Sequence, residues 1–110
     1  MAIKMTQQEK QIEEMKIGIY GRRWIEWMEN NHKKDVRDMK KRGVFLEVAK
    51  STDEYARDYK KLLDRQYDEY HFRPLEFASE DERKSWEFTR NYYTDGVVMR
   101  ERVLKVYRNP

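Results

Sequence analysis

The sequence predicts an all-α protein, a compact bundle of about three to five helices, on three observations. Only four Gly and two Pro punctuate 110 residues, too few for a turn-rich β fold. Apolar residues recur at about 3.5-residue spacing over long segments, the period of a helix face. Four Phe, three Trp and eight Tyr argue for a packed core although 41% of side chains are charged, because disordered chains are poor in aromatics. The length fits one domain, residues 1–110, with 1–17 expected as a loosely attached N-terminal helix.

Thr6-Gln7-Gln8-Glu9 has the spacing of a capping box and predicts a short helix over 7–17, with Ile12 and Met15 as its main apolar content and Gly18 near its end. In 20–42, Tyr20, Trp24, Trp27 and Met28 share one face, and Val36 and Met39 continue a weaker stripe. Asn30-Asn31-His32 predicts a break, giving two short helices or one kinked helix, and Gly43 is placed to close the second half. The long central helix, about 44–71, carries the clearest period. Its apolar side runs Phe45, Val48, Ala49, Thr52, Tyr55, Ala56, Tyr59, Leu62, Leu63, Gln66, Tyr67 and Tyr70. Lys50, Glu54, Arg57, Asp58, Lys61, Asp64, Arg65 and Asp68 are assigned to the solvated side. Pro74 stops this helix, and Phe72, Leu75 and Phe77 are expected to plug the connection back onto the bundle. Ser79-Glu80-Asp81-Glu82 is a second capping-box pattern and opens a last helix over 80–107. Its stripe is Trp86, Thr89, Tyr93, Val97, Leu104 and Tyr107, widened by Phe88, Tyr92, Met99, Val103 and Val106. Gly96 within it marks a close helix approach or a kink.

Charge is unevenly spread beneath the net +3. Residues 1–50 hold 12 Lys/Arg against 8 Asp/Glu (+4), 51–82 hold 5 against 10 (−5), and 83–110 hold 7 against 3 (+4). Two surfaces follow. The basic one comprises Arg22, Arg23, Lys33, Lys34, Arg37, Lys40, Lys41 and Arg42 and suits nucleic acid or an acidic partner. The acidic one comprises Asp64, Asp68, Glu69 and Glu76 and suits a groove that receives phosphates.

Chemistry finds little footing. The absence of Cys excludes a disulfide framework, thiolate metal sites and a Cys nucleophile. Ser51, Ser79 and Ser85 lie in no nucleophile elbow, and the isolated glycines form no phosphate loop. Glu29-x-x-His32 and Asp68-x-x-His71 match a di-metal spacing, but both histidines read better as ordinary exposed residues. No catalytic residue, metal or cofactor is expected. Apolar runs of at most three residues give no membrane span and no secretory h-region, so a soluble, cytoplasmic protein is expected.

Ile17-Gly18-Ile19-Tyr20-Gly21-Arg22, followed by a basic-aromatic helix and by Arg42-Gly43-Val44-Phe45, Asp53 and Ala56, resembles the TnpV-like small proteins of transposons and other mobile elements. The likeness spans roughly 17–107, weakening over Asp81–Trp86 and the final helix; the richer aromatics and the Phe72–Phe77 segment depart from the family. It implies an all-helical fold in a mobile-element or phage setting, where many small charged proteins act on other machinery, anti-CRISPR proteins among them. The resulting expectation is a non-catalytic protein that binds and modulates a nucleic-acid-handling protein, such as a host CRISPR-type defence nuclease. The alternative is a nucleic-acid-binding accessory protein of a transposon.

Overall fold

Residues 5–105 are described by the computed structural model. They form five α-helices in the order α1 (Gln7–Glu14), α2 (Ile19–Asn31), α3 (Lys33–Lys41), α4 (Phe45–Tyr70) and α5 (Glu80–Val98), followed by a π-helical turn, Met99–Val103. There is no strand among the described residues. The expected all-α bundle with two long helices is present.

Local chemistry sets most boundaries. Thr6 and Glu9 exchange both hydrogen bonds of the capping box at 3.1 Å, opening α1. Ser79 accepts the Glu82 N–H at 3.2 Å, whereas the Glu82 carboxylate takes the N–H of Ala78 rather than that of Ser79. α1, α3 and α4 all end in the same paired-bond turn, with a left-handed residue after the cap: Lys16 (φ 56°), Gly43 (φ 71°) and Phe72 (φ 54°). In each, the next residue's N–H returns to a carbonyl five residues back: Ile17 to Ile12, Val44 to Met39 and Arg73 to Asp68. The first two turns also join buried residues, because Ile12, Ile17 and Met39 belong to the core.

The core lies where α2, α3, the first half of α4 and the end of α5 meet. Trp24 and Met28 are fully buried beside Ile17, Tyr20, Ile25, Phe45, Ala49, Ala56, Val98 and Val103. Trp24 stacks on Phe45 at 5.3 Å, and its indole N–H donates to the Lys105 carbonyl at 3.1 Å. No residue from 57 to 93 is buried, so the far halves of α4 and α5 project from this core as a two-helix arm. The radius of gyration, 17.4 Å, exceeds the roughly 13 Å of a spherical domain of this length for the same reason.

Several expectations need correction. The last helix is regular only as far as Val98. The π-turn, closed by the Leu104 N–H on the Met99 carbonyl at 2.8 Å, rotates Val103 onto the side occupied by Val98. Upstream of this turn the inward side of α5 is Trp86, as expected, with Arg90, Thr94 and Val98 in place of Thr89, Tyr93 and Val97. Downstream of it Val103 is buried and Leu104 is left exposed. Val106 and Tyr107 lie outside the described residues. Phe77 does pack, 6.2 Å from Trp86 and under Arg73, but Phe72 and Leu75 are not plugs: Phe72 is 87% exposed and Leu75 wholly so. On α4, Tyr55, Leu62, Gln66 and Tyr70, assigned to the apolar side, are exposed, and Asp53, assigned to neither side, is buried. Gly96 makes no close approach, since a Cβ there would meet nothing within 4 Å.

Candidate interaction surfaces

The arm is held by polar bonds together with an aromatic cluster around Trp86. Asp64 accepts from Lys60 at 2.8 Å and from the Thr94 hydroxyl at 2.6 Å, with Arg90 Nε 3.7 Å away. Asp68 accepts from the Trp86 indole N–H and from Arg90, both at 2.9 Å, and from Arg73 at 3.3 Å. Tyr67 packs against Trp86 (6.1 Å) and Tyr93 (6.0 Å). Asp64 and Asp68 were assigned to a free acidic face. They face α5 instead and are neutralised by cations within the chain, so they are not available as phosphate mimics. Of the acidic set, Glu69 and Glu76 remain exposed.

Partial burial pushes the Asp68 carboxyl upward, but the Trp86 N–H, Arg90 and Arg73 outweigh it and hold the group below its ordinary 3.8. The folded state then binds fewer protons than the unfolded chain as that range is entered. Its stabilisation is complete above pH 3.8 and is lost as pH falls through the lower folded-state value. Asp68→Asn is expected to cost about 1–3 kcal/mol near neutrality, because it weakens charge-assisted bonds. The gap from wild type should narrow at about pH 3 in urea unfolding; a gap independent of pH would contradict this placement.

The basic residues divide in two. Arg22 donates to the Ile17 carbonyl at 3.0 Å, and Arg23 reaches Asp95 at 3.1 Å. Asp95 also accepts the Tyr20 hydroxyl at 2.6 Å, clamping α2 to α5. Burial, then this hydrogen bond, push the Tyr20 hydroxyl well above its usual range. Lys40 lies 3.9 Å from Glu29 and Arg42 3.0 Å from Asp38. Lys33, Lys34, Arg37 and Lys41 are exposed and have no ion pair or hydrogen bond among the described residues. At 100° per residue these four fall within about a 100° arc of α3, opposite buried Val36 and Met39. Arg22, exposed but anchored through its Nε, and half-buried Arg23 are engaged within the chain, which leaves these four as the cations of the basic set without a partner among the described residues.

His32 is half-buried, 4.7 Å from the Trp27 ring and 3.7 Å from Asp35, and is not the freely exposed histidine expected. His71 is exposed and packs on Tyr67 at 4.1 Å. Among the described residues no three potential ligands cluster around a metal position. None of the described helices is long and apolar enough to cross a membrane.

Sequence reasoning missed Asp53, which is 1% exposed and accepts the Gly21 N–H at 3.1 Å. Its signal was available: a carboxylate between Ala49 and Ala56, small residues that let another helix approach. Arg90 and Asp95 carried no comparable signal, being two charges among many on a mixed helix.

No protein-family model, curated protein or solved structure matches this chain.

Proposed function

We propose that this chain is a non-catalytic interaction protein that binds and modulates a nucleic-acid-handling protein, in its most specific form as an inhibitor of a CRISPR-type defence nuclease. The observation that carries the reading is Phe72. It stands at the tip of the arm with φ 54° and 87% of its surface exposed, beside fully exposed Leu75. A left-handed conformation costs a non-glycine residue about 1–2 kcal/mol, and this ring gains no burial in return. The backbone turn closes α4 as the turns at Lys16 and Gly43 close α1 and α3, but glycine would serve it without strain, so an exposed aromatic at this position supports a use outside the chain. Exposed aromatics on a rigid turn make suitable anchors for a partner's pocket. The mobile-element resemblance supplies the class of partner.

Phe72→Gly separates stability from function. Glycine relaxes the strain but loosens the unfolded chain, so the fold should gain about 0.5–1 kcal/mol. Capture of a defence nuclease from cells, and inhibition of its cleavage when the protein is added, should both fall. If no nuclease co-purifies and cleavage is unaffected across several CRISPR effectors, the inhibitor reading fails. If Phe72→Gly binds as wild type does, the arm tip is not the anchor.

The second reading, a nucleic-acid-binding accessory protein, is favoured by the four exposed cations of α3 that have no partner among the described residues. Titration with duplex DNA should then show log K falling against log salt with a slope of about −3 to −4. The combined Lys33→Gln, Lys34→Gln, Arg37→Gln and Lys41→Gln variant should flatten it. Absence of binding at low salt removes this reading.

A further inference from the structure

α4 carries more apolar surface than the fold covers. Facing α5 are Lys60, Asp64, Tyr67 and Asp68, which bond or pack across the arm. On the far side runs a second series, Val48, Tyr55, Tyr59, Leu62 and Gln66. Of these, Tyr55, Leu62 and Gln66 are exposed, while Val48 and Tyr59 are half-buried against the core, the Tyr59 hydroxyl donating to Glu101. The successive spacings of 7, 4, 3 and 4 residues fit the two inward positions of a heptad. That is a coiled-coil seam rather than a scatter of exposed residues. Tyr55 is 71% exposed and Leu62 44%, while Tyr59 is half-covered by Arg102, whose guanidinium lies 4.4 Å from its ring centre.

Two features specify what fits this seam. The first is charge. Beside its first half lie exposed Glu47, Glu54 and Asp58; beside its second half lie exposed Lys61 and Arg65, with Glu69 at the far end. Asp58 and Arg65 are seven residues apart on the same flank, and neither has an ion pair among the described residues. The second is shape. An open groove of about 700 Å³, lined by Val44, Val48, Ser51, Thr52, Tyr55 and Arg102, lies at the beginning of the seam. Tyr70, 80% exposed, stands at the other end of the same helix.

We propose that α4 pairs antiparallel with α4 of a second copy of this chain, forming a two-fold symmetric dimer. One register satisfies both features. With Tyr59 of one copy over Leu62 of the other, Tyr55 meets Gln66 and Tyr70 comes over Ser51, at the groove. Asp58 then faces Arg65, and the two-fold axis makes each of these contacts twice. Antiparallel pairing sets the acidic first half of one seam against the basic second half of the other, whereas parallel pairing would place like charges side by side. This interface goes beyond the partner reading above and leaves the arm tip at Phe72 and the α3 cations outside the seam.

Sedimentation equilibrium of the full chain tests it. The wild type should show a concentration-dependent monomer–dimer equilibrium. Asp58→Arg and Arg65→Asp each turn two attractions into two repulsions and should raise the dissociation constant roughly tenfold, whereas the double swap should restore it. Both positions are exposed, so circular dichroism should be unchanged. Leu62→Lys should abolish dimerisation. Because the chain contains no Cys, orientation can be read directly. Tyr55→Cys chains should form disulfides with Gln66→Cys chains and not with one another. A wild type that stays monomeric at every concentration overturns the proposal. So does a dimer indifferent to Leu62→Lys and both swaps, or one in which Tyr55→Cys chains cross-link among themselves.

Discussion

Trp24→Ala is expected to lower stability by about 3–5 kcal/mol, the largest effect of any single truncation in this chain. Trp24 is fully buried, stacks on Phe45 at 5.3 Å and bonds through its indole N–H to Lys105 at 3.1 Å. One side chain therefore joins α2 to the start of α4 and to the segment after the π-turn. Loss of the ring leaves a cavity in a core that is thin already, since nothing from 57 to 93 is buried. A domain of this size has only about 5–15 kcal/mol to lose, so the variant should approach the folding threshold. Trp24→Phe keeps most of the volume but leaves the carbonyl without its donor, and should cost about 1–3 kcal/mol. Urea unfolding followed by circular dichroism checks both. Fluorescence provides an independent readout, because Trp24 is the fully buried indole and Trp27 and Trp86 are only half-buried. Wild-type unfolding of Trp24→Ala would show that the core lies elsewhere.

How far the sequence could be read follows from the range of the forces involved. Thr6 with Glu9, Ser79, Gly43 and Pro74 marked helix ends correctly because capping and φ restriction act over three or four residues. The apolar period of α4 identified the helix but not how much of its surface the fold would cover. Phe45, Ala49 and Ala56 face the core, while Tyr55 and Leu62, in the same broad stripe, face outward. Asp64 and Asp68 read as a solvated pair because their neutralising partners include Arg90, 26 and 22 positions away, and a helical wheel contains no such information. The phase slip in the last helix has other causes. The π-turn at Met99–Val103 changes which of the later residues share a side and leaves Leu104 out, while within α5 the bulk of Tyr92 and Tyr93 drew the expected stripe one residue away from the buried Thr94 and Val98. Phe72 and Leu75 looked like plugs because apolar residues in a short connection usually pack, and here they do not.

Gly21→Ala should destabilise the fold by about 2–4 kcal/mol, although alanine is the better helix former by about 1 kcal/mol. A Cβ at Gly21 would lie 2.4 Å from Ile17 Cγ2, 2.7 Å from the Ala49 carbonyl oxygen and 2.9 Å from Asp53 Cβ. The Ala49 oxygen is backbone of α4 and cannot swing aside, so α2 must withdraw. Withdrawal breaks a second interaction. The residue capping α2 is Gly18, which has no side chain to offer. Asp53 supplies the missing acceptor from α4, taking the Gly21 N–H at 3.1 Å, with Arg57 Nε 3.0 Å from its other oxygen. A carboxylate at a helix N-terminus satisfies an orphan donor and meets the positive end of the helix dipole. Gly18 leaves room for it: a Cβ there would sit 2.8 Å from Asp53 Oδ1. The Ile17–Arg22 motif and Asp53 are therefore one device, in which two glycines admit a buried acid from another helix. Gly96→Ala is the internal control, being the same substitution in a helix with open space around it, and should stabilise by about 1 kcal/mol. Asp53→Ala combined with Gly21→Ala should cost less than the sum of the two single changes, because both disrupt the same bond. Additive losses, or a Gly21→Ala variant as stable as Gly96→Ala, would show that the α2–α4 approach does not depend on this pair.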